Sequence, residues 1–367
     1  MTSLDDVARR KLEALQSGAL LRSLPEPKRA LDFCSNDYLG LAHDPRLKAA
    51  AAAALEHGAG AGASRLVTGN HALYAELEAK IAGTKGTDAA VVFGSGYLAN
   101  LGTIPALAGP GDLIVADELS HACMMSGAKL SGAVFHVFRH NDVGHLRSLL
   151  ETYRGESENC LVLTEGVFSM DGDLSPLPDI IAAARDHDAW VMTDDAHGLG
   201  VIGNGRGSAA HWSARPDVQM GTLSKAVGSY GGYVAASRPV TDLLVNRARS
   251  LIYATGLPPA VVAASIAGLD IIANDPALCA RPLTLARQFT ARANLPAAQS
   301  AIVPVVLGDP EAALEASAVL ERQGFLVTAI RPPTVPAGTA RLRITFSAAH
   351  REEDVLRLAD AVRPFVR

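Results

Sequence analysis

The sequence predicts an α/β protein: a large domain built on a mostly parallel sheet flanked by helices, then a smaller α+β C-terminal domain. Three observations carry this. From residue 88 onward, short runs of consecutive apolar residues alternate with helical stretches. An apolar run without polar alternation marks a strand covered on both faces, as in parallel sheets. Beyond residue 295 the rhythm changes to strand, helix, two strands and helix. The length, 367 residues, suits two or three domains with an ample core.

Taken in order, residues 3–22 read as a short amphipathic helix ended by Pro25 and Pro27. Residues 32–38 read as a short strand entering a turn. The alanine-rich run 48–56 is a helix, since alanine has the highest helix propensity and Gly58 stops it. Strands are expected at 89–93, 112–116, 134–139, 160–164, 190–193, 218–221 and 232–236. Helices fall between them at 97–107, 120–130, 143–153 and 179–186. A long helix starts near Pro259. The C-terminal part has strands at 302–307, 326–330 and 341–346, with helices at 311–323 and 352–362. The chain thus divides into an N-terminal segment (1–45), a large domain (46–275) and a small domain (276–367).

Composition narrows the function classes. Lys and Arg total 33 against 38 acidic residues, a net charge of -5, so no basic nucleic-acid surface is expected. Anionic ligands then depend on a few placed arginines and backbone N–H groups. Cys34, Cys123, Cys160 and Cys279 show no C-x-x-C spacing, which argues against a metal or redox site and for a reduced, cytoplasmic chain. Met1 to Asp6 has no positive stretch leading into an apolar one, so no signal peptide is expected. The most apolar stretch, 257–273, contains Pro258, Pro259 and Asp270 and reads as a buried helix, not a membrane span.

In parallel sheets, ligands bind beyond the carboxyl ends of the strands. Gly94, Glu165, Asp194 and the loop containing Lys225 all fall at such ends. Gly94-Ser95-Gly96-Tyr97 joins a strand to a helix, where glycine allows close backbone approach and the helix N-terminus favours an anion. The third glycine and the later acid of a dinucleotide fingerprint are missing, so a single phosphate fits better than NAD. Gly203-Asn204-Gly205-Arg206-Gly207 follows a loop and fails the same test. Lys225 stands in an uncharged stretch, Gly221-Thr222-Leu223-Ser224-Lys225-Ala226, and between Arg215 and Arg238 the only other charged residue is Asp217. A desolvated lysine gives up its proton and attacks carbonyls. An acid at an earlier strand end is the other half of a pyridoxal 5′-phosphate (PLP) site, where it faces the ring nitrogen. Asp194 and Asp195 compete for that role, because neighbouring strand residues point opposite ways.

His121 opens a helix and is either an ordinary N-terminal residue or a ring stacked on the cofactor. His197 is either a loop histidine or a partner for the phenolic oxygen of PLP, and Ser169 a turn cap or a cofactor contact. No G-x-S-x-G elbow supports a serine hydrolase. Arg341 and Arg343 share one face of a strand, either as solvated edge residues or as a bidentate carboxylate holder.

Together, Ser35-Asn36-Asp37-Tyr38-Leu39-Gly40, Gly94 to Asn100, Ser120-His121-Ala122, Glu165 to Gly172, Asp194-Asp195-Ala196-His197-Gly198 and Gly221 to Ala226 resemble the α-oxoamine synthases. These are fold-type I PLP enzymes, and the resemblance spans essentially the whole chain. The segment from Thr328 to Arg343 is similar to the members that condense L-alanine with pimeloyl-CoA or a pimeloyl carrier protein. Glycine C-acetyltransferase and 5-aminolevulinate synthase share the same cofactor residues. The resemblance implies that Lys225 joins PLP covalently and Asp194 faces its ring nitrogen. His197 and Ser169 bind ring substituents, His121 stacks on the ring, and Gly96, Tyr97 and Thr222 lie at the cofactor. Thr255 reaches the phosphate of a neighbouring subunit, which implies a homodimer with shared active sites. Asn36 and Arg343 hold the amino-acid carboxylate, and Thr334 and Arg22 contact substrate. Relatives often carry serine where this chain has Gly256.

Overall fold

A computed structural model of the chain describes residues 2–17, 20–21, 24 and 30–366. The N-terminal strand β1 (Leu31–Asp32) is only two residues long. Seven apolar runs become β2 (Ala89–Phe93), β3 (Leu113–Asp117), β4 (Val134–Phe138), β5 (Cys160–Glu165), β6 (Trp190–Asp194), β7 (Val218–Thr222) and β8 (Gly232–Ala236). They form one sheet in the order β2-β8-β7-β6-β5-β3-β4. β3 to β7 pair in parallel, and β8 runs antiparallel to both of its neighbours. Every residue of β2, β3, β5, β7 and β8 is buried, which is why these strands read as mostly apolar runs without polar alternation.

The C-terminal part contributes β9 (Ile302–Gly308), β10 (Phe325–Leu326), β11 (Thr328–Ile330) and β12 (Ala340–Thr345). β9, β12 and β11 make a small antiparallel sheet with β12 in the middle. The strand expected at 326–330 is split. β10 pairs in parallel with β1, β11 pairs with β12, and Val327 between them is buried in the small core.

Helices cover both faces of the large sheet. Tyr74, Leu77 and Ile81 from the Ala72–Lys85 helix pack with Val262, Ile266 and Leu269 of the Pro259–Asn274 helix. On the other face Ile104, Met124, Ala128 and Leu244 share a core, with Leu146, Leu150 and Ile180 filling a further one. The small core gathers Leu285, Phe289, Leu320, Leu342, Ile344 and Leu358. The N-terminal segment joins the two, since Phe33 is buried in the small core while Tyr38, Leu39 and Leu41 are buried in the large one.

The first helix, Leu4–Ser17, ends before the expected limit and buries no residue; Pro25, Pro27 and Arg22 lie outside the described residues. The Pro276–Ala293 helix, which the sequence reading passes over, begins at the expected domain boundary and carries Pro282 inside it. Among the described residues no single helix is long and apolar enough to cross a membrane.

Candidate active site

Phe93, Glu165, Asp194 and Thr222 end neighbouring strands at one rim of the large sheet. Past β2, Ser95 caps the Gly96–Leu107 helix, its Oγ accepting from the Leu98 N–H at 3.2 Å. Gly96 lies hard against β7: a Cβ added there would sit 3.2 Å from Met220 Cε and 3.4 Å from Thr222 Cβ. Thr222 Oγ1 donates to the Gly231 carbonyl at 2.9 Å and stands 2.7 Å from Ser224 Oγ. A helix N-terminus beside two hydroxyls is a cradle for an anion. Tyr97, half exposed, begins the same helix.

The β7–β8 connection holds Lys225. Leu223, Ala226 and Val227 around it are buried in the large core, which anchors the loop and leaves the half-buried lysine at its surface. Burial depresses the Lys225 pKa below its ordinary value; the negative charges of Asp194 and Glu165 oppose this, and Arg343 reinforces it. Lys225 Nζ lies 2.9 Å from His197 Nε2, and His197 Nδ1 lies 2.6 Å from the Tyr38 hydroxyl. Burial, helped by the charges of Lys225, Arg343 and His121, pushes His197 well below its ordinary range. A neutral ring has one N–H. The network therefore assigns Nε2 as the acceptor from Lys225 and Nδ1–H as the donor to Tyr38. Tyr38, pushed up to about 12 by burial, keeps its proton and donates to Asn36 Oδ1 at 3.1 Å.

The two adjacent acids part company at the end of β6. Asp194, 5% exposed, accepts from Asn100 Nδ2 at 2.8 Å and from the Ala196 N–H at 3.0 Å. Asp195, fully buried, pairs with Lys85 at 2.5 Å and accepts from the Ser208 N–H. Asp195 is thus taken up by a cation on the opposite side, and Asp194 is the acid left on the Lys225 side. Gly207 explains the second glycine cluster, because a Cβ there would fall 1.7 Å from Asp195 Oδ2. Beside Asp194, Glu165 is 2% exposed; burial and then the Asp194 charge raise its pKa well above the ordinary carboxyl range. Its Oε1 has no partner among the described residues.

Arg341 and Arg343 are not edge residues. β12 is the central strand, and the two side chains are buried toward the loop after β5. Arg341 pairs with Asp171 and donates to the Met170 carbonyl. Arg343 Nε donates to the Ser169 carbonyl at 2.6 Å, and its Nη2 donates to Asn36 Oδ1 at 3.1 Å. Asn36 therefore links Arg343 to the Tyr38–His197–Lys225 chain.

A cleft of about 700 Å³ opens beside this group, lined among others by His121, Met125, Phe168, Ser169 and Thr334. His121 serves as the helix N-terminal cap, and it also lies at the cleft. Its Nδ1 accepts from the Cys123 N–H and caps the Ala122–Ser131 helix, and its ring borders the cleft. Thr255 stands apart from these contacts, exposed, and bridged to Ser64 through its backbone. At Gly256 a Cβ would meet the Gly69 carbonyl at 2.7 Å, so a serine there needs the Arg65–Gly69 turn to move.

Lys85, Asn100, Tyr38 and Asp171 take part in this site without having been singled out. Tyr38, Asn100 and Asp171 lay inside recognised motifs without being given a role; Lys85 lay in none and owes its place to a contact across the sheet. The donor set suits a pyridine ring bearing an aldehyde, a phenolic oxygen and a phosphate: an amine at Lys225, a carboxylate at Asp194, an imidazole at His197, and the helix start beside Thr222.

The comparisons agree. Residues 28–362 match the aminotransferase class I and II family. The chain is 57% identical to the 8-amino-7-oxononanoate synthase of Methylobacterium radiotolerans over 375 residues, covering 99% of this chain and 98% of that one. A solved serine palmitoyltransferase from S. paucimobilis with bound PLP–myriocin superposes with a TM-score of 0.90 at 31% identity, covering 98% of this chain and 96% of that one. For the 8-amino-7-oxononanoate synthase of Francisella tularensis the TM-score is 0.78 at 26% identity, covering 91% and 97%. With its fold-type I sheet and these relatives, the chain belongs to the class I and II aminotransferase family and, within it, to the 8-amino-7-oxononanoate synthase branch of the α-oxoamine synthases.

Proposed function

We propose that this chain is a PLP-dependent acyltransferase that condenses L-alanine with a pimeloyl thioester, releasing CO2 and free thiol and forming 8-amino-7-oxononanoate for biotin synthesis. The observation that carries the reading is the Lys225 amine, its pKa depressed, set against Asp194 on one side and His197 on the other. Bound PLP supplies an electron sink for the pair left on Cα when a proton is lost.

The remaining work falls to side chains of this chain. Lys225 anchors the cofactor and, once freed, its amine removes the Cα proton of alanine; a lysine with a lowered pKa suits a general base near neutral pH. Asp194, held by Asn100 and the Ala196 amide, keeps a proton on the ring nitrogen. His197 and Ser169 hold ring substituents, His121 covers the ring face, and Gly96, Tyr97 and Thr222 border the phosphate. Arg343, with Asn36, holds the alanine carboxylate that leaves as CO2, while Thr334 contacts substrate at the cleft wall. Arg22 is assigned a substrate contact by resemblance alone.

The same reading makes the protein a cytoplasmic homodimer in which Thr255 of one subunit serves the phosphate site of the other. Val67 and Tyr253, 74% and 71% exposed, support an apolar surface beside Thr255 of the kind an interface covers. The domain limits 1–45, 46–275 and 276–367 belong to this proposal too. The acyl carrier is CoA or a carrier protein.

The test is a panel crossing alanine, glycine and serine with acetyl, succinyl, pimeloyl and palmitoyl thioesters. Alanine with the pimeloyl donor is expected to turn over fastest, and Lys225→Ala to abolish both turnover and the visible absorbance of the bound cofactor. A preference for glycine with a short donor, or for serine with palmitoyl, overturns the substrate assignment.

A further inference from the structure

His140 stands just past β4, outside every residue assigned to the reaction. Its Nδ1 lies 3.0 Å from Asp117 Oδ1 and its Nε2 lies 2.9 Å from Asp173 Oδ2, with the side chain 22% exposed. An ionised carboxylate only accepts, so both ring nitrogens carry a proton and the ring is an imidazolium. Burial opposes that charge, but the hydrogen bonds and negative charges of Asp117 and Asp173 outweigh it and carry the His140 pKa up to about 10.

The two carboxylates belong to different walls of the cleft. Asp117 ends β3, and its Oδ1 also accepts from the Leu119 N–H, just before Ser120 and His121. Asp173 lies in the 166–174 hairpin, whose ends meet at the Val167–Leu174 bridge. Asn141 fastens the same two groups: its backbone N–H donates to Asp117 Oδ2 at 2.8 Å, and its amide donates to Asp173 Oδ2 at 2.9 Å. Phe168, buried in the hairpin, sets its ring perpendicular to His140 at 4.4 Å between centroids. Between Phe168 and Asp173 the hairpin carries the Ser169 carbonyl that receives Arg343, and Asp171, which pairs with Arg341.

We infer that His140 is a positioning residue: clamped between Asp117 and Asp173, it fixes the 166–174 hairpin so that Ser169 and Arg343 stand at the cofactor and amino-acid sites. What Ser169 and Arg343 do there rests on the function proposed above; the clamp does not. Without the imidazolium, Asp117 and Asp173 face each other with no cation between them, and the hairpin is pushed off Arg343.

The experiment compares His140→Gln, Asp173→Ala and the double variant His140→Gln/Asp173→Asn with the unaltered protein. PLP affinity is read by fluorescence, alanine affinity by the visible spectrum of the PLP-loaded protein, and turnover separately. His140→Gln is expected to weaken alanine binding by about tenfold while kcat stays within about threefold, the size of one lost charge-assisted bond. The double variant, which has a neutral amide pair in place of the clamp, should regain most of the affinity, as residues acting through one contact do. Asp173→Ala opens the clamp from the hairpin side and serves if His140→Gln does not fold; it should weaken alanine binding in the same direction. Alanine and PLP affinities within about twofold of the unaltered protein in these single variants, or a double variant as weak as His140→Gln, overturn the inference. A protein that binds PLP and shows the rescue but does not use pimeloyl thioesters sinks the proposed function and leaves the clamp standing.

Discussion

Replacing Lys85 by methionine tests the buried pairing that sets Asp195 apart from Asp194. The Lys85 ammonium meets Asp195 Oδ2 at 2.5 Å and the Arg206 carbonyl at 2.8 Å, with both side chains essentially sealed from water at 1% and 0% exposure. Gly207 backbone closes over the pair and Ser208 donates its N–H to Asp195. Methionine fills the volume but leaves a buried carboxylate whose remaining support is that one amide. Breaking a buried pair from one side costs about 3–5 kcal/mol, because the stranded charge keeps its desolvation penalty. Lys85→Met combined with Asp195→Asn removes both charges and should recover all but about 1–2 kcal/mol. The assay is urea unfolding followed by far-UV circular dichroism, at fixed protein concentration and saturating PLP, since ligand and subunit association shift apparent stability. The folded variant should keep the visible cofactor spectrum, because Asp194 hangs from Asn100 and Ala196, not from Lys85. A loss below about 1 kcal/mol for Lys85→Met, or a double variant less stable than the single one, refutes the reasoning.

Tyr38→Phe removes the hydroxyl joining His197 to Asn36 and leaves a buried ring N–H without its acceptor. Such a loss costs about 1–3 kcal/mol, so kcat/KM for alanine should fall by about tenfold or more, and an unchanged value rejects the relay. Arg343→Lys keeps the charge but cannot serve Ser169, Asn36 and a carboxylate together; KM for alanine should rise about tenfold with little change in kcat, and an unchanged KM rules Arg343 out as the carboxylate holder. In the cofactor-free protein, Lys225 should titrate below its ordinary 10.5, because burial disfavours its charged form. Amine labelling measured against pH would then show Lys225 reacting at lower pH than exposed lysines, and coincident curves would contradict the depressed value.

The parts of the site that could be read in advance are those in which residue type and strand position coincide. A lone lysine in an uncharged loop, an acid at a strand end and a glycine turn before a helix all sit where a buried parallel sheet presents its ligand. The strands were readable for the same reason, since both faces of β2, β3 and β5 are buried and every residue in them is free to be apolar or small. Helix Ala72–Lys85 carried no periodic signal, because apolar residues are spread around it and its inward face holds Lys85 as well as Tyr74, Leu77 and Ile81. Pro276–Ala293 was passed over; it carries Pro282, a residue that disfavours a helix interior, which in the structure is buried inside the helix. The split at Val327 was unreadable, because it depends on β10 finding β1, almost three hundred positions away along the chain.

Local chemistry therefore determined the sheet, its rim and the candidate cofactor residues there, since each rests on side-chain character and on a period of two or 3.6. The choice between two adjacent acids was made by Lys85, which reaches Asp195 across 110 positions of sequence. Arg343 was carried from solvent-edge candidate to a buried position against Ser169 and Asn36 by the central position of β12 and by the hairpin that His140 clamps. Long-range pairing of charges depends on which elements pack together, and no short stretch of sequence contains that information.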